Sequence, residues 1–245
     1  MSITDRLLAS LNVDAPVREV RVGAFWTAVV LGTDPPRCGL ASTLRSEDHH
    51  KGPPVRDAGR LLERSALELA VLLRSKSPEE ASIGMATVNA LLEVDEEACV
   101  EVNAEEVIIE KGAGKKVAIV GHFPFIPRVR REAGTLWVLE QRPRGDDLPA
   151  AAAPDVIPQA DVVAITGTAL INHTFEELVA LCRPDAYVLV LGGSAPLSPV
   201  ILDYGVDATA GTRVIDVPAV LRAVSQGATF RQIPGKRLLT MKRQV

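Results

Sequence analysis

Aromatic side chains make up only 4% of this 245-residue chain, so its interior has to be built from Val, Leu, Ile and Ala. Cysteine is as sparse. Cys38, Cys99 and Cys182 are odd in number and lack CxxC spacing, which argues against a disulfide framework or a structural zinc knot; they read as small hydrophobes in a reducing compartment. Clustered basic residues are missing, with 27 Lys+Arg against 31 Asp+Glu for a formal charge of −4, so nucleic acid is not an expected partner. No apolar run approaches the roughly 18 residues that span a bilayer, and Asp5 and Arg6 stand where a signal peptide needs its apolar stretch. No membrane association is expected, and the expected location is cytoplasmic. Nucleophile elbow, Walker loop, HExxH helix and paired-carboxylate motifs are absent as well.

What is present is ordinary globular composition, 47% hydrophobic and 24% charged, at a length of about one and a half domains if a domain takes roughly 150 residues. The rhythm changes near Lys111-Gly112-Ala113-Gly114-Lys115-Lys116. Before it, a short amphipathic helix (4–11) precedes three β-branched or aliphatic strands at Val17–Val22, 25–31 and 38–44, punctuated by Gly23, Gly32 and Pro35-Pro36. Helical spacing follows: Leu62, Ala66, Leu69 and Leu73 share one face, and Ser77-Pro78-Glu79-Glu80 starts a helix running toward Glu93 with Gly84 as a close-packing point. Asn103 with Glu106 starts a further helix ending at Gly112. Strands first and helices after read as α+β.

The second half alternates. Short apolar runs at 117–120, 136–140, Val162–Thr166 and Tyr187–Leu191, with a shorter one at 207–210, suit buried parallel strands. Thr174-Phe175-Glu176-Glu177 reads as a capping box opening a helix to Cys182, before Pro184, and 217–224 reads as another helix. The pattern predicts α/β with a doubly wound parallel sheet. Residues 142–158 carry four prolines and read as a surface loop, with Asp146-Asp147 a solvated turn.

In open α/β sheets ligands bind beyond the carboxyl ends of the strands. That rule selects Gly121, His122, Phe123 and Pro124 after the first strand, Glu140 after the second, Thr166, Gly167, Thr168, Asn172 and His173 after the third, and Gly192, Gly193 and Ser194 after the fourth. Imidazoles beside a crevice serve as metal ligands or proton carriers, so His122 and His173 are the candidate metal ligands, the alternative being histidines that bond a backbone carbonyl at a turn. His49-His50 reads instead as part of a solvated loop. Glu140 follows Gly121 by nineteen residues, close to the offset of an acid that bonds a ribose hydroxyl, but Phe123 and Ile126 stand where the dinucleotide fingerprint has glycines. A nucleotide cofactor therefore ranks below a transition metal or metal chelate. In the first half, the small residues Ser42 and Thr43 in a strand of aliphatics, and Asn89 in an apolar helix, either line an interdomain cleft or pack.

The strings Val117-Ala118-Ile119-Val120-Gly121-His122-Phe123-Pro124-Phe125, Thr166-Gly167-Thr168-Ala169-Leu170-Ile171-Asn172-His173-Thr174-Phe175 and Leu197-Ser198-Pro199 resemble the family described as putative heavy-metal chelation, a domain of unknown function. Gly39-Leu40-Ala41-Ser42-Thr43-Leu44 and Ile83-Gly84-Met85-Ala86-Thr87-Val88-Asn89-Ala90-Leu91-Leu92 resemble its usual companion domain. Together they cover nearly the whole chain. The resemblance implies an enolase-N-terminal-like α+β domain over 1–112, a Rossmann-like α/β domain over 113–245, and a cleft shared between them. Likeness to an enolase domain implies no enolase activity. The expected function is binding of a metal ion, a metal chelate or a metal-chelating metabolite in that cleft, linked to heavy-metal chelation or transport. An NAD- or S-adenosylmethionine-dependent enzyme is the alternative, and a non-catalytic assembly or regulatory subunit comes third. The expected partner is a small-molecule or metal ligand, with a homo-oligomer left open.

Overall fold

The computed structural model describes residues 1–46 and 53–243; the expectation for His49-His50 lies outside the described residues. Helix α1 (Ile3–Ala9) is capped by Ser2, whose Oγ accepts the Asp5 amide. Strands β1 (Val17–Val22), β2 (Trp26–Leu31) and β3 (Arg37–Ser42) then form an antiparallel meander, with Trp26 opposite Ser42 and Leu31 opposite Arg37. β2 is apolar almost throughout because both faces are covered. Val29, Leu31 and Ala41 join one core, while Ala28, Val30, Cys38 and Leu40 meet Val220, Leu221 and Val224 in another.

The apolar spacing at 62, 66, 69 and 73 does not produce one helix. The segment breaks into a 3₁₀ turn (Leu61–Glu63), α2 (Ala66–Ala70) and a second 3₁₀ turn (Val71–Arg74). The break has a local cause: Ser65 adopts an extended conformation and forms a reciprocal capping box with Glu68, starting a new helix at 66. Leu62 is left 54% exposed, whereas Ala66, Leu69 and Leu73 are buried. The next helix, α3 (Pro78–Leu91), begins on the Ser77 cap with Pro78 at its first position. It lies so close to β3 that a Cβ at Gly39 would overlap the Ala86 and Ala90 backbone, and one at Gly84 would overlap the backbone of Leu72 and Leu73.

The second sheet collects β4 (Cys99–Val100), β5 (Lys116–Val120), β6 (Thr135–Glu140), β7 (Leu148–Pro149), β8 (Val162–Thr166), β9 (Tyr187–Leu191), β10 (Ala208–Val214) and β11 (Lys236–Lys242). Their order is β4-β11-β10-β9-β8-β5-β6-β7. From β10 to β7 neighbours are parallel, while β11 runs antiparallel to both β10 and β4. The chain moves outward from β5 to β7 and then from β8 to β10 on the other side, so the order reverses between β5 and β8. Neither β4 nor β11 was foreseen in the sequence.

Around this sheet lie α4 (Ala104–Gly112), α5 (Ile126–Glu132), α6 (Ala153–Val156), α7 (Thr168–Ile171), α8 (Phe175–Ala180), α9 (Pro199–Leu202) and α10 (Val217–Ser225). Alternate residues of each strand face opposite layers: Val117, Ile119, Val138 and Ala164 pack with Val107, Ile108 and Val129. Ala118, Leu139, Val163 and Ile165 enter the core that also holds Ile83, Met85 and Leu73. One continuous apolar cluster thus runs from α3 to the large sheet.

Three local expectations change. Asn103 caps α4 by accepting the Glu105 amide, without a reciprocal bond from Glu106. Thr174 has helical dihedrals and makes no side-chain cap bond; it follows the left-handed His173, and its amide donates to Ala169 O at the end of α7. Segment 142–158 is not a plain surface loop: it holds β7, a 3₁₀ turn and α6, and it buries Ala153, Val156 and Ile157. Pro154 sits in the first turn of α6, where an amide hydrogen is not needed. Among the described residues, no helix is long and apolar enough to cross a membrane.

Gly39→Ala should expose how far the fold depends on the α3–β3 approach. Backbone cannot yield as a flexible side chain can, so a loss of about 1–3 kcal/mol is expected, read as a lower urea midpoint at unchanged slope.

Candidate functional site

Beyond the carboxyl ends of β5, β8 and β9 lies a cavity of about 900 Å³, where the strand order reverses and crevices form in open parallel sheets. The strand-end turns form its floor. Gly121 and Gly192 hold φ of +102° and +107°, a left-handed region that other residues adopt only with strain. They redirect the chain so that His122, Phe123 and Pro124 on one side, and Gly193 and Ser194 on the other, face the cavity. Thr166, Thr168 and Asn172 come from the β8–α7 turn, and Glu140 from the end of β6. The small antiparallel sheet supplies Trp26 and Ser42, and the segment after β3 supplies Leu44, as the opposing wall.

Two aromatic pairs flank the space. Phe123 and Phe125 stack with centroids 5.1 Å apart and planes at 12°. Trp26 and Phe230 meet at 4.9 Å and 37°. Gly193 makes the second pair possible, since a Cβ there would stand 2.6 Å from the Trp26 ring and 2.8 Å from the Phe230 ring. Four of the chain's nine aromatic residues therefore line one cavity.

His122 is positioned at two points. Its amide donates to Glu140 Oε2 at 2.9 Å, and its Nδ1 lies 2.8 Å from Asp147 Oδ2. The Asp147 side chain is only 3% exposed, against 39% for His122, and the same Oδ2 accepts the Arg144 amide at 3.1 Å. Asp147 is thus not the solvated turn its sequence context suggests, because the chain after β6 folds back and brings it under the imidazole. Glu140 is engaged by backbone: Oε2 accepts from His122 and Oε1 from Gln141 at 2.7 Å.

Twelve expected site residues line the cavity: Ser42, Gly121, His122, Phe123, Pro124, Glu140, Thr166, Thr168, Asn172, Gly192, Gly193 and Ser194. Four others do not. His173, with φ +58°, places Nε2 2.9 Å from Ser75 O and ties the α7–α8 turn to the first half. Thr43 shares a hydroxyl contact of 2.9 Å with Thr27. Gly167 packs where a Cβ would overlap Ala195. Asn89 donates from Nδ2 to Leu40 O at 2.8 Å and to Ser194 O at 3.4 Å. Ser194 is gripped further: its Oγ accepts the Ser42 amide at 2.8 Å and lies 3.2 Å from Ser42 Oγ.

Asp147, Trp26, Phe230, Arg231 and Thr212 were not foreseen. Thr212 Oγ1 is buried at the cavity lining with no partner among the described residues. Phe230 and Arg231 sit on a 3₁₀ turn held by a Thr229–Gln232 capping box, a short polar pattern that carries no site signature. No cysteine lines the cavity. Burial pushes Cys38 up to about 12 and Cys182 to about 11, and raises Cys99, so soft thiolate donors are disfavoured. Among the described residues, no group of three or more His, Cys, Asp or Glu is placed to hold a metal ion.

Comparison with known proteins follows the same outline. Residues 103–242 match the model of a family described as putative heavy-metal chelation, and residues 4–92 match a second model with the same description. A crystal structure of a protein of unknown function from Desulfitobacterium hafniense superposes with a TM-score of 0.83 at 24% identity, over 98% of both chains. One from Pyrococcus horikoshii, also of unknown function, gives 0.81 at 17% identity, again over 98% of both. At those identities the likeness is one of fold. An uncharacterized protein of Methanocaldococcus jannaschii is 27% identical over 150 residues, which is 58% of this chain and 58% of that protein's length.

Asn89→Ala should strip partners from the Leu40 and Ser194 carbonyls. A stability loss of about 1–3 kcal/mol is expected, together with faster hydrogen exchange at the Ser42 amide, which depends on Ser194 staying in place.

Proposed function

The chain belongs to the family described as putative heavy-metal chelation, and on that premise we propose that it binds a small organic ligand that carries or captures a transition metal, seated in the cleft between the two sheets. The observation that carries this reading is the combination of a cavity of about 900 Å³ with the lack, among the described residues, of any three-donor metal group. Protein sites for a bare transition metal ordinarily supply three or four donors. Here Glu140 is occupied by two backbone amides and the His122 Nδ1 faces Asp147. These residues do not fit a resident bare ion, so the metal would enter with its chelator, or the chelator alone. A cavity of this size with aromatic walls suits a drug-sized organic molecule oriented by a few polar groups.

The finer fold reading belongs to the same proposal. The reversal of strand order between β5 and β8 supports a Rossmann-like unit over 113–245, and the meander with its helices supports an enolase-N-terminal-like unit over 1–112. The reversal also favours the second reading, an NAD- or S-adenosylmethionine-dependent enzyme. Against it, Phe123 and Phe125 fill the turn where a pyrophosphate would approach.

Thermal shift and tryptophan fluorescence separate these readings. Chelates of nickel, copper, cobalt and zinc, their metal-free chelators, the bare ions, NAD(P) and S-adenosylmethionine form the panel. A chelate or chelator should raise Tm, with stabilisation of about 2.7 kcal/mol at a hundredfold excess over Kd. Gly193→Ala, which displaces the Trp26 and Phe230 rings, should weaken that response several-fold. A shift with a nucleotide cofactor and none with any chelate or chelator would replace this reading with the second.

A further inference from the structure

The pairing of His122 with Asp147 deepens the reading of the cleft as a chelate site, on which the following rests. His122 lines the cavity, and its Nδ1 is held 2.8 Å from the Asp147 carboxylate. Its Nε2 is left as the ring nitrogen without a protein partner among the described residues. Asp147 is fixed in turn by burial and by the Arg144 amide, and the His122 backbone by Glu140. An imidazole with one nitrogen on a buried carboxylate has the arrangement that orients metal-ligating histidines, raises their basicity and leaves the other nitrogen to coordinate. Yet among the described residues no second and third donor accompany it.

We propose that His122 is the single protein ligand to a transition metal that arrives already chelated, its Nε2 taking one open coordination position. The bond formed is nitrogen to metal, the bond broken is metal to water, and no electron changes hands. Asp147 is a positioning residue that accepts the Nδ1 hydrogen. The rest of the cavity indicates the chelator's class. The Phe123–Phe125 and Trp26–Phe230 pairs favour a flat aromatic body. Of the charged side chains at the lining, Glu105 is paired with Arg128, Glu140 accepts two backbone amides and Glu177 is exposed, while the exposed Arg231 favours a carboxylate on the ligand. A planar aromatic carboxylate chelator that leaves one position of a copper-, nickel- or zinc-like ion open meets each requirement; imidazole suits those metals.

Copper(II) pyridine-2,6-dicarboxylate is such a probe: planar, tridentate and with an open equatorial position. Copper(II) EDTA is its counterpart without that position. The full-length chain carrying His49→Ala, His50→Ala and His173→Ala would be titrated with each, following tryptophan quenching and the electron spin echo modulation of a remote imidazole nitrogen. Expected are quenching and remote-nitrogen modulation with the dicarboxylate chelate, with binding at least tenfold weaker for the EDTA chelate and for the metal-free dicarboxylate. His122→Ala and His122→Gln should both lose the modulation; the Gln variant keeps the amide bond to Glu140 should Ala unfold the turn. Asp147→Asn should weaken binding about 10–100-fold and shift the remote-nitrogen quadrupole frequencies, which report the hydrogen bond at Nδ1. Modulation that persists in both His122 variants, or equal affinity for the two copper chelates, overturns His122 coordination and leaves the cleft as an organic-ligand site. Absence of quenching by the chelates and by the dicarboxylate overturns both that assignment and the reading beneath it.

Discussion

The turn after β9 is wedged from four directions, and the cleft exists because it is. Gly167 and Gly211 lack side chains where a Cβ would overlap the Ala195 backbone or stand 2.5 Å from its carbonyl oxygen. Asn89 reaches across from α3 to the Ser194 carbonyl, and Ser42 at the end of β3 donates its amide to the Ser194 hydroxyl. Two glycines, one after β8 and one within β10, permit the close approach, and Asn89, Ser42 and Ser194 then fasten it. Buried polar groups must find partners or cost stability, so this turn can be satisfied only when both sheets are in place. Ser194 belongs equally to the cavity lining and to the seam between the halves.

That constraint sets the shape of what lies above it. With the 192–196 turn drawn against β3, the start of β2 is carried over the strand ends, and Trp26 reaches Phe230 across Gly193. The opposite wall arises separately, from the left-handed turn at Gly121 that stacks Phe123 on Phe125. The interior of the chain manages with aliphatic residues: among its largest fully buried side chains only Phe175 is aromatic. Aromatic surface is concentrated where a ligand would contact it, and flat, polarisable faces bind flat, polarisable partners.

Much of the sheet could be read from sequence, for a physical reason. Val162–Thr166 and Tyr187–Leu191 coincide with observed strands because buried parallel strands must be continuous apolar runs of limited length, and the half-exposed Val17–Val22 was legible from its β-branched residues and the glycine that follows. The turns after the strand ends were expected to gather at one crevice, and twelve of the sixteen expected residues line one cavity there. What escaped depends on contacts distant in sequence. Nothing near Asp147 announces that it will lie under an imidazole 25 residues away. Nothing in the 229–232 turn announces that Phe230 will meet Trp26. His173 is the converse case: its position after a strand is the same kind as that of His122, but its ring bonds Ser75, 98 residues earlier. The helix expected over 62–73 failed on a local competition, in which a capping serine outweighed apolar periodicity.

Glu140 shows most directly why position alone does not define chemistry. Its offset from Gly121 is that of a ribose-binding acid, and its strand end is the right one. Yet its two oxygens each accept a backbone amide, one from His122 and one from Gln141, so the carboxylate holds the two turns that flank the cavity together. With Glu140 committed to that role and Glu105 paired with Arg128, the polar groups facing the cavity are an imidazole oriented by Asp147, the Arg231 guanidinium, the exposed Glu177 carboxylate, the amides of Asn103, Gln141 and Asn172, and several hydroxyls. Among the described residues no three His, Cys, Asp or Glu side chains are grouped to take a metal ion out of water unaided. The groups present are well suited to one further bond to an ion whose other positions are already filled. A metal held in this cleft would therefore have to bring most of its ligands with it.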